Sequence, residues 1–81
     1  MNIYVGNLSP GTSERKLRKA FERFGKVAKI SLRERPRDST TFGFCFVEMP
    51  IDNQASRAIK QLHGKLLGGY TLTVKESGVS A

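Results

Sequence analysis

The chain has one cysteine and one histidine in 81 residues. A lone cysteine, Cys45, excludes a disulfide and any cysteine-based metal site. One His with one Cys also supplies no catalytic triad and no metal cluster, so no cofactor and no metal are expected. No stretch approaches the roughly 20 apolar residues of a membrane span. Met1 leads straight into a strand-like segment, not into the hydrophobic core of a signal peptide. A free mid-strand thiol then suits a reducing compartment, and the expected location is the cytoplasm. Acidic residues are scarce: seven, against fourteen Lys and Arg, for a net charge of +7 and a pI near 10.1. That imbalance on so small a body points to an anionic partner. Nucleic acid comes first and an anionic membrane surface second; a merely basic, soluble protein is the plain alternative.

What is present reads as one small globular domain. A chain of this length buries only about 60–65% of its unfolded surface, so its core has to be tidy. Ile3 and Val5 alternate with Asn2 and Tyr4 in a first strand that ends at Gly6, and Asn7-Leu8-Ser9-Pro10-Gly11 reads as loop, because Pro and Gly end the ladder. Ser13 is a good N-cap, and Leu17, Ala20, Phe21 and Phe24 follow at helical spacing up to Gly25. Val27 to about Arg35 reads as a second strand, with Lys29, Ser31 and Arg33 on one side, and Pro36 stops it. Phe42 to Met49 is a third. Asp52 is placed to cap a second helix carrying Ala55, Ala58, Ile59 and Leu62, which Gly64 ends. His63 in its last turn suits the negative end of the dipole. A short extra strand at Leu66-Leu67 and a last strand from Tyr70 to Glu76 complete the order β-α-β-β-α-β.

That order predicts an α+β, ferredoxin-like fold: a four-stranded antiparallel sheet with two helices on one face and the first and third strands in its centre. Residues 1–77 form the domain and 78–81 a short polar tail. The third strand, Phe42-Gly43-Phe44-Cys45-Phe46-Val47-Glu48-Met49, is apolar on both faces. It is either doubly buried or exposes an aromatic platform. Two helices cover only one side of a sheet, which leaves Phe42, Phe44 and Phe46 on an open face.

I-Y-V-G-N-L at Ile3–Leu8 and F-G-F-C-F-V-E-M at Phe42–Met49 resemble the hexamer and octamer signatures of the RNA recognition motif. The resemblance extends over essentially the whole chain, and the overall form is similar to small bacterial proteins made of one such domain. The octamer departs at three positions: Phe42 stands for a basic residue, Cys45 for Gly or Ala, and Met49 for an aromatic. The resemblance implies that Tyr4, Phe44 and Phe46 stack on bases of single-stranded RNA (or DNA in vitro). Asn2, Glu48, Lys29 and Lys75 become candidates for base edges and the 2′-OH, with Ser31, Thr71 and Thr73 beside them. Arg33, Arg35 and Arg37 are placed to replace the phosphate contact that Phe42 lacks. Phe42 itself is a candidate fourth ring.

The implied role is a monomeric post-transcriptional regulator or RNA chaperone with no membrane partner. The alternative is a protein–protein interaction module on the same fold, which the three platform aromatics disfavour. An acylphosphatase-like enzyme would need a glycine-rich anion loop with an Arg after the first strand, and Asn7-Leu8-Ser9-Pro10-Gly11 offers neither. The first helix carries Arg15, Lys16, Arg18, Lys19 and Arg23, which read as a solvated face or as a second contact surface. The start at Met1 and the untailed end lead to the expectation of a free-standing protein, although a chain cut before a Gly- or Arg-rich tail would read the same.

Overall fold

Alternation of aliphatic and polar residues gives the sheet two unlike faces, and the helices take the aliphatic one. A computed structural model describes residues 1–9, 12–33 and 43–78. Its elements are β1 (Asn2–Leu8), α1 (Glu14–Glu22), β2 (Lys29–Arg33), β3 (Gly43–Glu48), α2 (Asp52–Leu62), β4 (Leu66–Leu67), β5 (Tyr70–Thr71) and β6 (Thr73–Ser77). The four-stranded sheet runs β2-β3-β1-β6, and every neighbouring pair is antiparallel. This is the ferredoxin-like arrangement, with β1 and β3 in the middle.

On the covered face, Ile3 and Val5 of β1 meet Cys45 and Val47 of β3, Val74 of β6, and Leu17 and Phe21 of α1. Ala55 and Ala58 let α2 sit close to the same cluster. Among the described residues no polar or charged residue is buried, so the core carries no desolvated charge. Ser13 caps α1 as expected, its Oγ accepting the Lys16 N–H at 3.2 Å. The end of α1 is finished by the other helix. Gln54 Oε1 accepts the Lys26 N–H at 3.0 Å, and its side chain fills the space where a Cβ on Gly25 would stand. Gly25 also has φ +154°, so a side chain there is excluded twice over.

Three local expectations are corrected. Asp52 does not cap α2: the N-cap is Ile51, which makes no side-chain cap bond. The helix starts one residue earlier than a capping Asp52 requires, so Asp52 is its first helical residue, and its carboxylate instead lies 3.7 Å from the Met1 ammonium. That ammonium donates to the Met49 carbonyl at 2.8 Å. His63 is more than a dipole partner, because its Nδ1 accepts the Val74 N–H at 3.0 Å and ties the end of α2 to β6.

The last strand is also not continuous. Leu72 turns its backbone to Lys65 and Gly64, with bonds of 2.8 and 2.9 Å. Tyr70 and Thr71 pair with Leu67 and Leu66 as a separate two-stranded ladder, and only Thr73–Ser77 joins the sheet. The short strand at Leu66-Leu67 is therefore real, and its partner is what the sequence assigned to the main sheet.

Candidate nucleic-acid interface

The strand registers arrange the other sheet face in rows. One row runs Lys29, Glu48, Asn2, Ser77 across β2, β3, β1 and β6. The next runs Ser31, Phe46, Tyr4, Lys75. In the third, Arg33 stands opposite Phe44 and Gly6 opposite Thr73. Aromatics thus occupy the two central strands, and cations occupy the two edges.

The three rings form one cluster. Tyr4 lies 6.1 Å from Phe44 with planes 27° apart, and 5.8 Å from Phe46 at 63°. Phe44 and Phe46 are 5.8 Å apart and nearly perpendicular. These are offset and edge-on contacts of the kind aromatic quadrupoles favour. The Lys75 ammonium sits 5.4 Å from the Tyr4 centroid, a cation–π contact that fixes one side of the ring and puts positive charge beside it. All three rings are half-buried, and no helix among the described residues packs over them.

Gly6 explains why the Tyr4 ring lies flat. A Cβ at position 6 would meet the Tyr4 ring and hydroxyl at 2.6–2.9 Å, so only glycine lets the ring rest on the strand. Just beyond it, β1 is irregular between Val5 and Leu8, and Asn7 takes the left-handed φ of 60° that Asn tolerates. Its Nδ2 donates to the Thr71 carbonyl at 2.7 Å. The bond pins the β4–β5 hairpin to the rim of the sheet. Sequence reasoning read Asn7 as loop and Gly6 as a strand end. The signal that could have found them is their place directly after Tyr4, where a flat ring needs a bare backbone and a bulge needs a residue at home with positive φ.

The structure therefore brings Asn2, Tyr4, Lys29, Ser31, Arg33, Phe44, Phe46, Glu48, Thr73 and Lys75 onto one face. Thr71 is not among them, since it lies in the β4–β5 hairpin. Phe42, Arg35 and Arg37, together with Pro36 and residues 79–81, lie outside the described residues. Asn2 Oδ1 is buried with no hydrogen-bond partner, the one such side-chain atom among the described residues. Directly behind the platform, Cys45 points into the core. Burial, and then the charge of Glu14, push its thiol up to about 12, so it stays protonated and unreactive at neutral pH. Among the described residues no three His, Cys, Asp or Glu gather into a metal site, and no helix is long and apolar enough to cross a membrane.

Comparison with known proteins agrees with this geometry. A family model described as the RNA recognition motif matches residues 3–73. The chain is 35% identical over 71 residues to the cytotoxic granule-associated RNA binding protein tiar-1 of Caenorhabditis elegans, covering 88% of this chain and 17% of that one. It is 35% identical over 72 residues to the mitochondrial glycine-rich RNA-binding protein 4 of Arabidopsis thaliana, covering 89% of this chain and 53% of the relative. The chain thus spans about half the length of one of these curated relatives and far less of the other. Among solved structures, the RNA-binding protein PG1 superposes with a TM-score of 0.87 at 36% identity, covering 100% of this chain and 98% of that one. The Rna15 domain with bound RNA shares the fold at a TM-score of 0.83 and 21% identity, over 99% of this chain and 85% of its own.

Proposed function

The chain belongs to the RNA recognition motif family, and on that premise we propose that it binds single-stranded RNA on the open face of its sheet. The observation that carries the reading is the cluster of Tyr4, Phe44 and Phe46, three rings within 5.8–6.1 Å on a sheet face bordered by Lys29, Arg33 and Lys75. Each ring offers a π-face, and base stacking contributes roughly 1–3 kcal/mol per base by alanine substitution. The edge cations then neutralise the phosphates of a strand crossing the rows.

In this reading Glu48 accepts hydrogen bonds from the amino or imino groups of a base, because a carboxylate is acceptor-only. Turning the Asn2 amide out to a base edge would give its oxygen the donor it lacks. The names of the relatives given above, RNA-binding proteins all, support the class of ligand. As its role we propose a monomeric post-transcriptional regulator or RNA chaperone, acting in the cytoplasm by holding a few bases, with no chemistry performed on them. The curated relatives named above come from an animal and a plant, so they do not bear on the resemblance to small bacterial proteins.

The test is binding to a random single-stranded RNA pool at moderate salt, with Phe44→Ala and Phe46→Ala as comparators. Each variant loses about 1–3 kcal/mol of binding free energy. Unchanged affinity in both would mean that charge alone attracts the RNA.

A further inference from the structure

More than half of the net charge lies on the side of the molecule that the stacking site does not use. Arg15, Lys19 and Arg23 fall at i, i+4 and i+8 on α1, with Lys16 beside them, and all four are exposed. Leu17 and Phe21 face the core, so this stripe points away from the sheet. Its neighbouring acids do not neutralise it. Glu22 is engaged by Arg18 at 3.9 Å, which leaves Glu14 as the other acid of the helix against four cations. Among the described residues, none of the four stripe cations makes an ion pair. At the end of the stripe a polar groove of about 230 Å³ opens between the helices, lined by Phe24, Asn53, Gln54 and Arg57. Arg57 carries the positive surface onto α2.

We infer that this helix face is a second RNA-binding surface, which takes the phosphate backbone of another strand or of a duplex. Charge complementarity selects the occupant. A protein partner needs an apolar interface core from which Lys is depleted. The exposed large apolar residues among those described are Ile51 and Leu66, and neither lies on α1. A phosphate backbone needs cations and nothing apolar. The stripe spans about 12 Å at 1.5 Å per residue, enough for about three phosphates of one strand. With one strand stacked on the sheet and a second held by α1, a single domain brings two RNAs together and speeds their annealing. The annealing step rests on the stacking reading above; the duplex contact does not.

The test uses Arg15→Gln/Lys19→Gln/Arg23→Gln, which removes charge at exposed sites and keeps helix propensity. The readouts are binding to blunt duplex RNA, binding to a single-stranded hexanucleotide, and the rate at which two labelled complementary strands anneal. Duplex RNA hides its bases from the platform, so a loss of duplex binding in this variant reports on α1 and not on stacking. The variant is expected to lose duplex affinity and annealing rate by on the order of tenfold, with a salt slope smaller by about 2. Its hexanucleotide affinity should fall by less than about twofold, since those bases sit on the opposite face. Arg15→Lys/Arg23→Lys should behave as the wild type, because point charges suffice for phosphate.

Wild-type duplex binding and annealing in the glutamine variant overturn the inference. So does an equal loss on hexanucleotide and duplex, which would assign the stripe to the sheet-bound strand. Wild-type annealing with loss of binding to a polyglutamate probe overturns it in favour of an acidic protein. Phe44→Ala/Phe46→Ala separates the two readings. If it binds the hexanucleotide normally, the platform fails, while duplex binding through α1 still stands or falls on the glutamine variant.

Discussion

The two faces of the sheet are built from the same strands by alternate residues, and they differ in everything else. Toward the helices stand Ile3, Val5, Cys45, Val47 and Val74, each at most 2% exposed. Toward the open side stand Asn2, Tyr4, Phe44, Phe46, Glu48 and Lys75, none fully buried. The covered side holds small and aliphatic groups because two helices must approach it closely. The open side holds the large rings, although burying aromatics would stabilise the fold more than burying valines. The chain therefore spends its core-forming potential unequally, and what it leaves exposed is what a base would stack on. On the proposed function, a residue's parity along the strand decides whether its loss is felt as instability or as weaker binding.

That contrast is broken hardest on the covered side. Phe21→Ala leaves a cavity under the sheet and is expected to cost about 3–5 kcal/mol of stability, read by urea denaturation. On the open side, Phe44→Ala and Phe46→Ala should lower stability by less than half as much, read in the same denaturation experiment, while taking the larger share of RNA affinity. Equal stability losses on both faces would show that the rings serve mainly as core. Gly6→Ala is subtler: the new methyl lifts the Tyr4 ring off the strand without touching the covered face. It should weaken RNA binding by about 1 kcal/mol, the scale of one stacking contact, with Tyr4 ring NMR shifts changed and the melting temperature nearly kept.

The effect that is smallest at neutral pH, and grows only in alkali, lies behind the platform. Folding raises the Cys45 thiol from 9.0 to about 12. Between those values the unfolded chain has released a proton that the folded chain still holds, so this group's contribution to stability is complete below pH 9.0 and drains away as pH rises toward 12. Cys45→Ala should flatten that part of the stability–pH curve relative to wild type, measured by thermal melts across alkaline pH.

Much of this was legible in the chain itself. Helical spacing from Leu17 to Phe24 and from Ala55 to Leu62 located both helices, period-two alternation put Phe44 and Phe46 on one face of their strand, and the family resemblance joined Tyr4 to them. Registers were not legible. That Tyr4 stands between Phe46 and Lys75 depends on how β1 docks with two distant strands, which no local pattern encodes. The split after Thr71 was hidden for a similar reason. Tyr70 to Glu76 alternates without a break, and what interrupts it is a set of bonds with Gly64 and Lys65 across the hairpin and with Asn7, remote in sequence. His63 was read as a dipole partner alone and Gln54 drew no reading: each accepts from a backbone N–H of another segment, and side-chain chemistry alone does not name such a partner.

The pairing of Tyr4 with Phe46 has a further consequence, for timing. The two rings come from opposite halves of the chain and meet only when β1 docks against β3. Contacts of long sequence separation form late, after the entropy of closing the intervening loop has been met. The stacking surface is therefore absent from the unfolded ensemble and from any state with helices but no closed sheet. RNA that engages it would bind the folded chain alone, so at a hundredfold excess over its Kd it would add about 2.7 kcal/mol of stability by mass action. In so small a domain, the ligand would then act as part of the fold that recognises it.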